Sequence, residues 1–365
     1  MDNRQKQVLP YDPAQKSLTF AVFLSDIEVR NRMIISASRR TDIPAFFSEW
    51  FIRRIQAQYA YVRNPMNIHQ ISKIILTPNV VDCIVFWTKN PRPMIHKLDL
   101  LNDYMYYFQF TLNAYHNDFE ANLPALDDRI HTFQALSERI GRQRVIWRYD
   151  PVILNSQYSI NWHTERFAYI ANQLSDYTEK VTISFVDLYA KIKNSIKGKN
   201  IFELSYAQKD TLAKNFSFIA HSHNLSIDTC AEDIDLSAYG IDHAHCIDGR
   251  LIASLLHCSI DAGKDKTQRF ECGCAASIDL GLYNTCRNGC VYCYANHNAD
   301  IRNRNFEAYD PDSPLLCSQV TEFDKITERK VKSQKNMQLS LFHFFEEGGG
   351  MKYSIDTLPL PGRKK

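Results

Sequence analysis

The 365-residue sequence is short of several things, and each shortage narrows the possibilities. No apolar run reaches the roughly 20 residues that a membrane-crossing helix needs. The longest early run, LTFAVFL (18–24), is short for the core of a secretion signal, and no small-residue cleavage site follows it. There is little net charge, only +2, so nothing global draws the chain to nucleic acid, although a local basic patch stays open. A cytoplasmic protein is therefore expected. Thiols stay reduced in that compartment, so disulfides do not explain ten cysteines. Eight of the ten fall between Cys230 and Cys293, and such clustering suggests metal ligands.

What is present points to a folded domain. Apolar residues make up 45% of the chain, enough for a substantial core. Residues 1–32 are polar and aperiodic and read as an N-terminal extension. From Met33 onward, apolar or β-branched runs alternate with helix-like stretches. The runs are MIISAS (33–38), YAYVR (59–63), DCIVFWT (82–88), YYFQFTL (106–112), RVIWRY (144–149), VTISFVD (181–187), LSIDTC (225–230) and IDLGLYN (278–284). Such alternation implies parallel β/α units, and eight of them predict an α/β protein with a closed (β/α)8 barrel over 33–317. An open doubly wound sheet is the second possibility. It would carry a glycine-rich turn after its first strand, and SASRRTD has none.

In a β/α barrel the active site lies where the strands end. Here those ends carry Arg39, Arg40, Thr41 and Asp42, then Lys89, then Arg148 and Asp150, then Asp187 and Cys230. About half of such residues are ordinary caps and turn formers. The density of Arg, Lys and Asp still favours a polar ligand carrying carboxylate or phosphate. Lys89, Arg148 and Asp150 are the candidates for orienting a substrate.

The last strand leads into CRNGCVYC (286–293), in which Cys286, Cys290 and Cys293 are spaced C-x3-C-x2-C. Three thiolates so placed can each hold one iron of a [4Fe–4S] cube. The fourth iron is then open and can chelate the amino and carboxylate groups of S-adenosylmethionine, the cofactor carrying the hard chemistry. The other possibility for these three is zinc, with His297 or Cys274 as fourth ligand. Cys230, Cys246, Cys272 and Cys274 suit a second, closed iron–sulfur cluster or a zinc ion, unless some are merely small buried hydrophobes. Cys83, inside an apolar run, is expected in the core.

CRNGCVYC resembles the cluster motif of the radical SAM superfamily. The resemblance implies that Tyr292, before the last cysteine, packs near the adenine, and that an external reductant such as flavodoxin or ferredoxin supplies electrons. The superfamily places this loop after the first strand of its barrel; here it follows the last, as a circular permutation would leave it. MIISASRRTD would then lie beside it in space. A Gly-Gly-Glu-like motif usually binds the cofactor's amino group there, but consecutive glycines occur only at 348–350. Asp42, Arg40 and Ser36 are the candidates to replace it. The phrases MIISASRRTDIPAFFSEWF, VDCIVFWTKNP, RVIWRYDP and CAEDIDLSAYGIDHAHCID also resemble the bacterial domain-of-unknown-function family 1848. Likeness of the cysteine loop to photolyase-like lyases implies nucleic-acid repair or modification.

After residue 318 the chain turns polar and charged and reads as a flexible tail, in which QLSLFHFF (338–345) stands out. Gln338, Leu341, Phe344 and Phe345 fit the short peptide with which repair proteins dock on the sliding clamp: a glutamine at the rim, and leucine with an aromatic in an apolar pocket. The alternative is a terminal helix packed on the domain. A binding protein recruited to the clamp, with a structural metal, and a radical enzyme acting on a peptide or small molecule are the rival functions.

Overall fold

The computed structural model describes residues 33–260, 263–269 and 271–330, and the backbone of 335–336. The N-terminal extension, the clamp-like peptide and the glycine triplet lie outside the described residues.

The first strand, β1 (Met33–Ala37), is buried along its whole length. Asp42 then caps the short helix α1 (Ile43–Phe46), accepting from the Ala45 N–H, and α2 (Ser48–Ala57) follows. β2 (Tyr59–Asn64) and β3 (Asn67–Ile75) form an antiparallel hairpin. β4 (Val81–Thr88), β5 (Tyr106–Thr111), β6 (Val145–Val152), β7 (Lys180–Phe185) and β8 (Ser226–Thr229) are near-continuous buried runs, as expected of parallel strands covered on both faces. Between them run α3 (Arg92–Ile95), α4 (Leu126–Ile140), α5 (Ile160–Leu174) and α6 (Tyr206–Ser222). Helix α4 buries Ile130, Phe133, Leu136 and Ile140, one stripe at helical spacing. Helix α6 begins with a reciprocal cap in which Ser205 and Gln208 satisfy each other's backbone. The chain closes with β9 (Asp242–His243), α7 (Gly249–Leu256), β10 (Ser259–Ile260), β11 (Ile278–Asp279), α8 (Ala299–Glu307), β12 (Lys325–Glu328) and β13 (Lys335–Asn336).

Eight strands form one parallel sheet in the order β11-β1-β4-β5-β6-β7-β8-β9. The order never reverses, which argues against a doubly wound sheet, and β11 pairs with β1 as the expected permutation requires. The closed barrel is not formed: among the described residues no ladder joins β9 to β11. Both edge strands are two residues long, and β9 is exposed, so neither offers the length that closure needs.

The other departure is at 59–63. This run does not enter the large sheet. It pairs with β3 through the turn at Pro65 and Met66, and β12 extends that small sheet from the stretch expected to be a free tail. The residues of β2 are half-buried except Ala60, unlike the continuously buried strands of the large sheet. The helix-side core is aromatic: Phe167 stacks on Phe216 at 4.3 Å and on Trp147 at 4.8 Å between centroids. Cys83 is fully buried in the layer behind, as expected.

Candidate metal centre at the strand ends

The C-terminal ends of the strands surround a cavity of about 480 Å³. Cys286, Cys290 and Cys293 line it, and so do Cys230, Cys246, Cys272 and Cys274. Lys89, Arg148, Asp150, Arg40, Asp42 and Tyr292 also line it, so the structure brings together every expected site residue except Ser36. A second cavity of about 280 Å³ backs onto the same three loop cysteines and is bordered by His297 and Arg302.

The cysteine loop is placed by contacts from three directions. Asn296 Oδ1 accepts the N–H groups of Thr285 at 2.8 Å and Cys286 at 2.9 Å, and its amide donates to Cys293 Sγ at 3.5 Å. Residues after β5 support it from below: Val291 N donates to Phe119 O at 3.0 Å and Asn122 Nδ2 to Arg287 O at 2.7 Å. Asp42 holds it from β1. Its carboxylate accepts from the Lys89 N–H at 2.8 Å and from Asn288 Nδ2 at 3.0 Å. Burial nevertheless pushes the Asp42 carboxyl above the usual range. Gly289 allows the C-x3-C turn: its φ is +73°, where a side chain is strained, and a Cβ would lie 3.1 Å from Ala121.

Under the loop lies a buried ionic knot. Lys89 Nζ donates to Glu120 Oε1 at 2.7 Å and to the Tyr292 hydroxyl at 3.0 Å, and Tyr292 also donates to Glu120. Arg129 pairs with the other Glu120 oxygen at 3.4 Å. Burial alone would raise the Glu120 carboxyl, but Lys89 and Arg129 pull it below the ordinary glutamate value. Burial likewise works against the Lys89 charge, and Glu120 with Cys290 more than offsets it. Glu120 was not a candidate from sequence. It sits in a loop with no strand signal, and its backbone bridge to Cys290 and its side-chain contacts to Lys89, Tyr292 and Arg129 place it here.

Ser36 has a different task. It is fully buried, and its hydroxyl donates to Asp279 Oδ2 at 2.6 Å. Ser38 Oγ donates to the other oxygen at 2.7 Å, and the N–H groups of Arg39 and Gly281 complete the clasp at 2.9 Å each. Asp279 thus ties β11 to β1. Gly281 has no room for a side chain, since a Cβ would lie 1.9 Å from Ser38 Oγ. Arg40 lies 3.9 Å from Asp279 and over the Tyr283 ring at 5.2 Å.

Arg148 Nε donates to Asp150 Oδ2 at 3.0 Å, and Nη1 donates to Cys246 Sγ at 2.9 Å. Ser184 donates to the other Asp150 oxygen. Burial opposes the Asp150 charge, but Arg148 and Ser184 hold its carboxyl low.

All the residues lining this cavity except Asn296 fall within one matched span. Residues 34–295 match the family described as Domain of unknown function (DUF1848). The chain belongs to the DUF1848 family. The DUF1848 span runs from β1 through the cysteine loop and takes in both sets of cysteines and Glu120. No curated protein sequence matches the chain. Among solved structures, a putative alpha-L-fucosidase from Bacteroides thetaiotaomicron VPI-5482 aligns over 62% of this chain and 95% of its own, at 10% identity and a TM-score of 0.27. That likeness carries no argument about this protein's chemistry.

Two further observations bound the site. Among the described residues, no three His, Cys, Asp or Glu side chains already surround a common metal position. Among them too, no helix is long and apolar enough to cross a membrane.

Proposed function

We propose that this protein is a radical SAM-like iron–sulfur enzyme working at the strand-end cavity. The observation that carries the reading is that Cys286, Cys290 and Cys293 line one cavity with Tyr292, at the ends of parallel strands. The donor set fits a [4Fe–4S] cluster with an open iron. The loop brings three thiols and no fourth, and space lies on both sides of them. Bound there, such a cluster would, once reduced, cleave the sulfonium of S-adenosylmethionine to a 5′-deoxyadenosyl radical.

The chain's own residues then have definable tasks. Asp42 and Asn296 fix the loop by hydrogen bonds to Asn288 and to the Cys286 N–H. Glu120 and Lys89 hold the Tyr292 hydroxyl and so fix that side chain in the cavity wall. Arg40, partly exposed at the rim, offers a cation to a carboxylate. Arg148 and Asp150, already paired, present a fixed dipole to the substrate. Nucleic acid is the substrate class we favour. The clamp-like peptide at 338–345 in the tail supports that choice from sequence alone.

The direct test is turnover. Anaerobically reconstituted, dithionite-reduced protein is expected to convert S-adenosylmethionine to 5′-deoxyadenosine and methionine, read by chromatography. Cys293→Ala is expected to lose at least a hundredfold. Wild-type protein with a full iron complement and no 5′-deoxyadenosine would overturn the reading.

A further inference from the structure

Four cysteines stand apart from the loop, at the open edge of the sheet. Cys230 directly follows β8, Cys246 lies just beyond β9, and Cys272 and Cys274 precede β11. Cys230 Sγ and Cys246 Sγ are 3.2 Å apart, and Cys272 and Cys274 line the same cavity, so the four form one group. Donors converge on it. Arg148 Nη1 reaches Cys246 Sγ at 2.9 Å, and the Ile247 N–H reaches Cys274 Sγ at 3.4 Å. A second guanidinium, Arg39, faces Cys274, Cys246 and Cys272, and its buried Nη2 has no hydrogen-bond partner.

Neutral thiols gain little from two buried guanidinium groups. Thiolates gain a great deal, and N–H donors to sulfur are what the surroundings of a metal-bound thiolate supply. Four thiolates around a divalent ion leave a charge of −2 (four negative, two positive), beside which lie Arg148, also paired with Asp150, and Arg39, 3.8 Å from Asp265.

We propose that Cys230, Cys246, Cys272 and Cys274 form a tetrathiolate zinc site that staples the open edge of the sheet. Contact between the sulfurs selects one ion over a cluster. A tetrahedral zinc with bonds of about 2.3 Å holds its sulfurs about 3.8 Å apart, whereas a cubane interposes irons and sulfides and spreads them. Gly273 permits the tight C-x-C turn beside His245, whose ring would lie 2.4 Å from any Cβ there. The ion joins β8, the segment after β9 and the segment before β11, where the ladder between β9 and β11 is missing. It takes the place of barrel closure.

The test is zinc-edge X-ray absorption on the full chain, purified without chelator or added metal, together with total zinc and iron. The expected result is one zinc per chain with four sulfur neighbours at about 2.3 Å. Cys246→Ser with Cys274→Ser is expected to lower zinc at least tenfold, keep the iron, and open residues 257–271 to proteolysis. Cys286→Ala is expected to keep the four-sulfur zinc, so this site stands or falls separately from the proposed cluster. Wild-type protein without zinc, zinc bound through nitrogen, or iron lost with the double variant would overturn it. If that variant does not fold, the wild-type spectrum decides.

Discussion

Glu120 is the residue on which the cavity floor depends. It is 1% exposed and accepts from Lys89, Tyr292 and Arg129. Removing one partner of a buried ion pair costs about 3–5 kcal/mol, because the remaining charge has no compensation. Glu120→Gln is therefore expected to lose about 3 kcal/mol in urea unfolding at pH 7. The loss has a pH signature. The folded-state carboxyl lies below the ordinary value, so its stabilisation is present above that value and fades as pH falls through the folded one. The gap between wild type and variant should narrow on acidification below about pH 4.5. A gap constant from pH 7 to pH 3 would contradict this role.

At the scale of elements, the weakest join is also the most informative. β11 contributes only two residues to the sheet, yet it delivers the cysteine loop. The Asp279 clasp makes up for so short a ladder. Gly281→Ala would force Ser38 away and open it. The expected result is faster amide exchange at 36–39 and 278–281 by at least tenfold, with α5 unchanged. Uniform acceleration would mean that the clasp is not local. The buried parallel strands were legible in the sequence because continuous runs such as DCIVFWT leave no polar face. β9 was not, because two exposed residues carry no period, and its place was given to 59–63, a half-buried hairpin arm that reads the same over five residues. The C-x3-C-x2-C spacing made the cysteine loop plain. Glu120, Asp279, Asn288 and Asn296 were hidden because their roles come from contacts between segments distant in the chain.

For the whole molecule, the two sets of cysteines divide the labour. Both sets line the cavity; on the proposed account one holds the cluster from the loop after β11, and the other would hold a zinc at the edge where the sheet does not close. The tail is a separate function on this account. Deleting residues 338–345 should abolish binding to the sliding clamp in a pull-down with purified components and leave cluster spectra unchanged. Clamp binding that survives the deletion would remove that peptide from the account.

The central claim is the open iron. Electron paramagnetic resonance of the reconstituted, dithionite-reduced protein, with and without S-adenosylmethionine, tests it most directly. The account predicts a [4Fe–4S] signal whose g-values shift when S-adenosylmethionine is added, with signal and shift both lost in Cys286→Ala. A cluster indifferent to S-adenosylmethionine, or zinc alone at Cys286, Cys290 and Cys293, would contradict it.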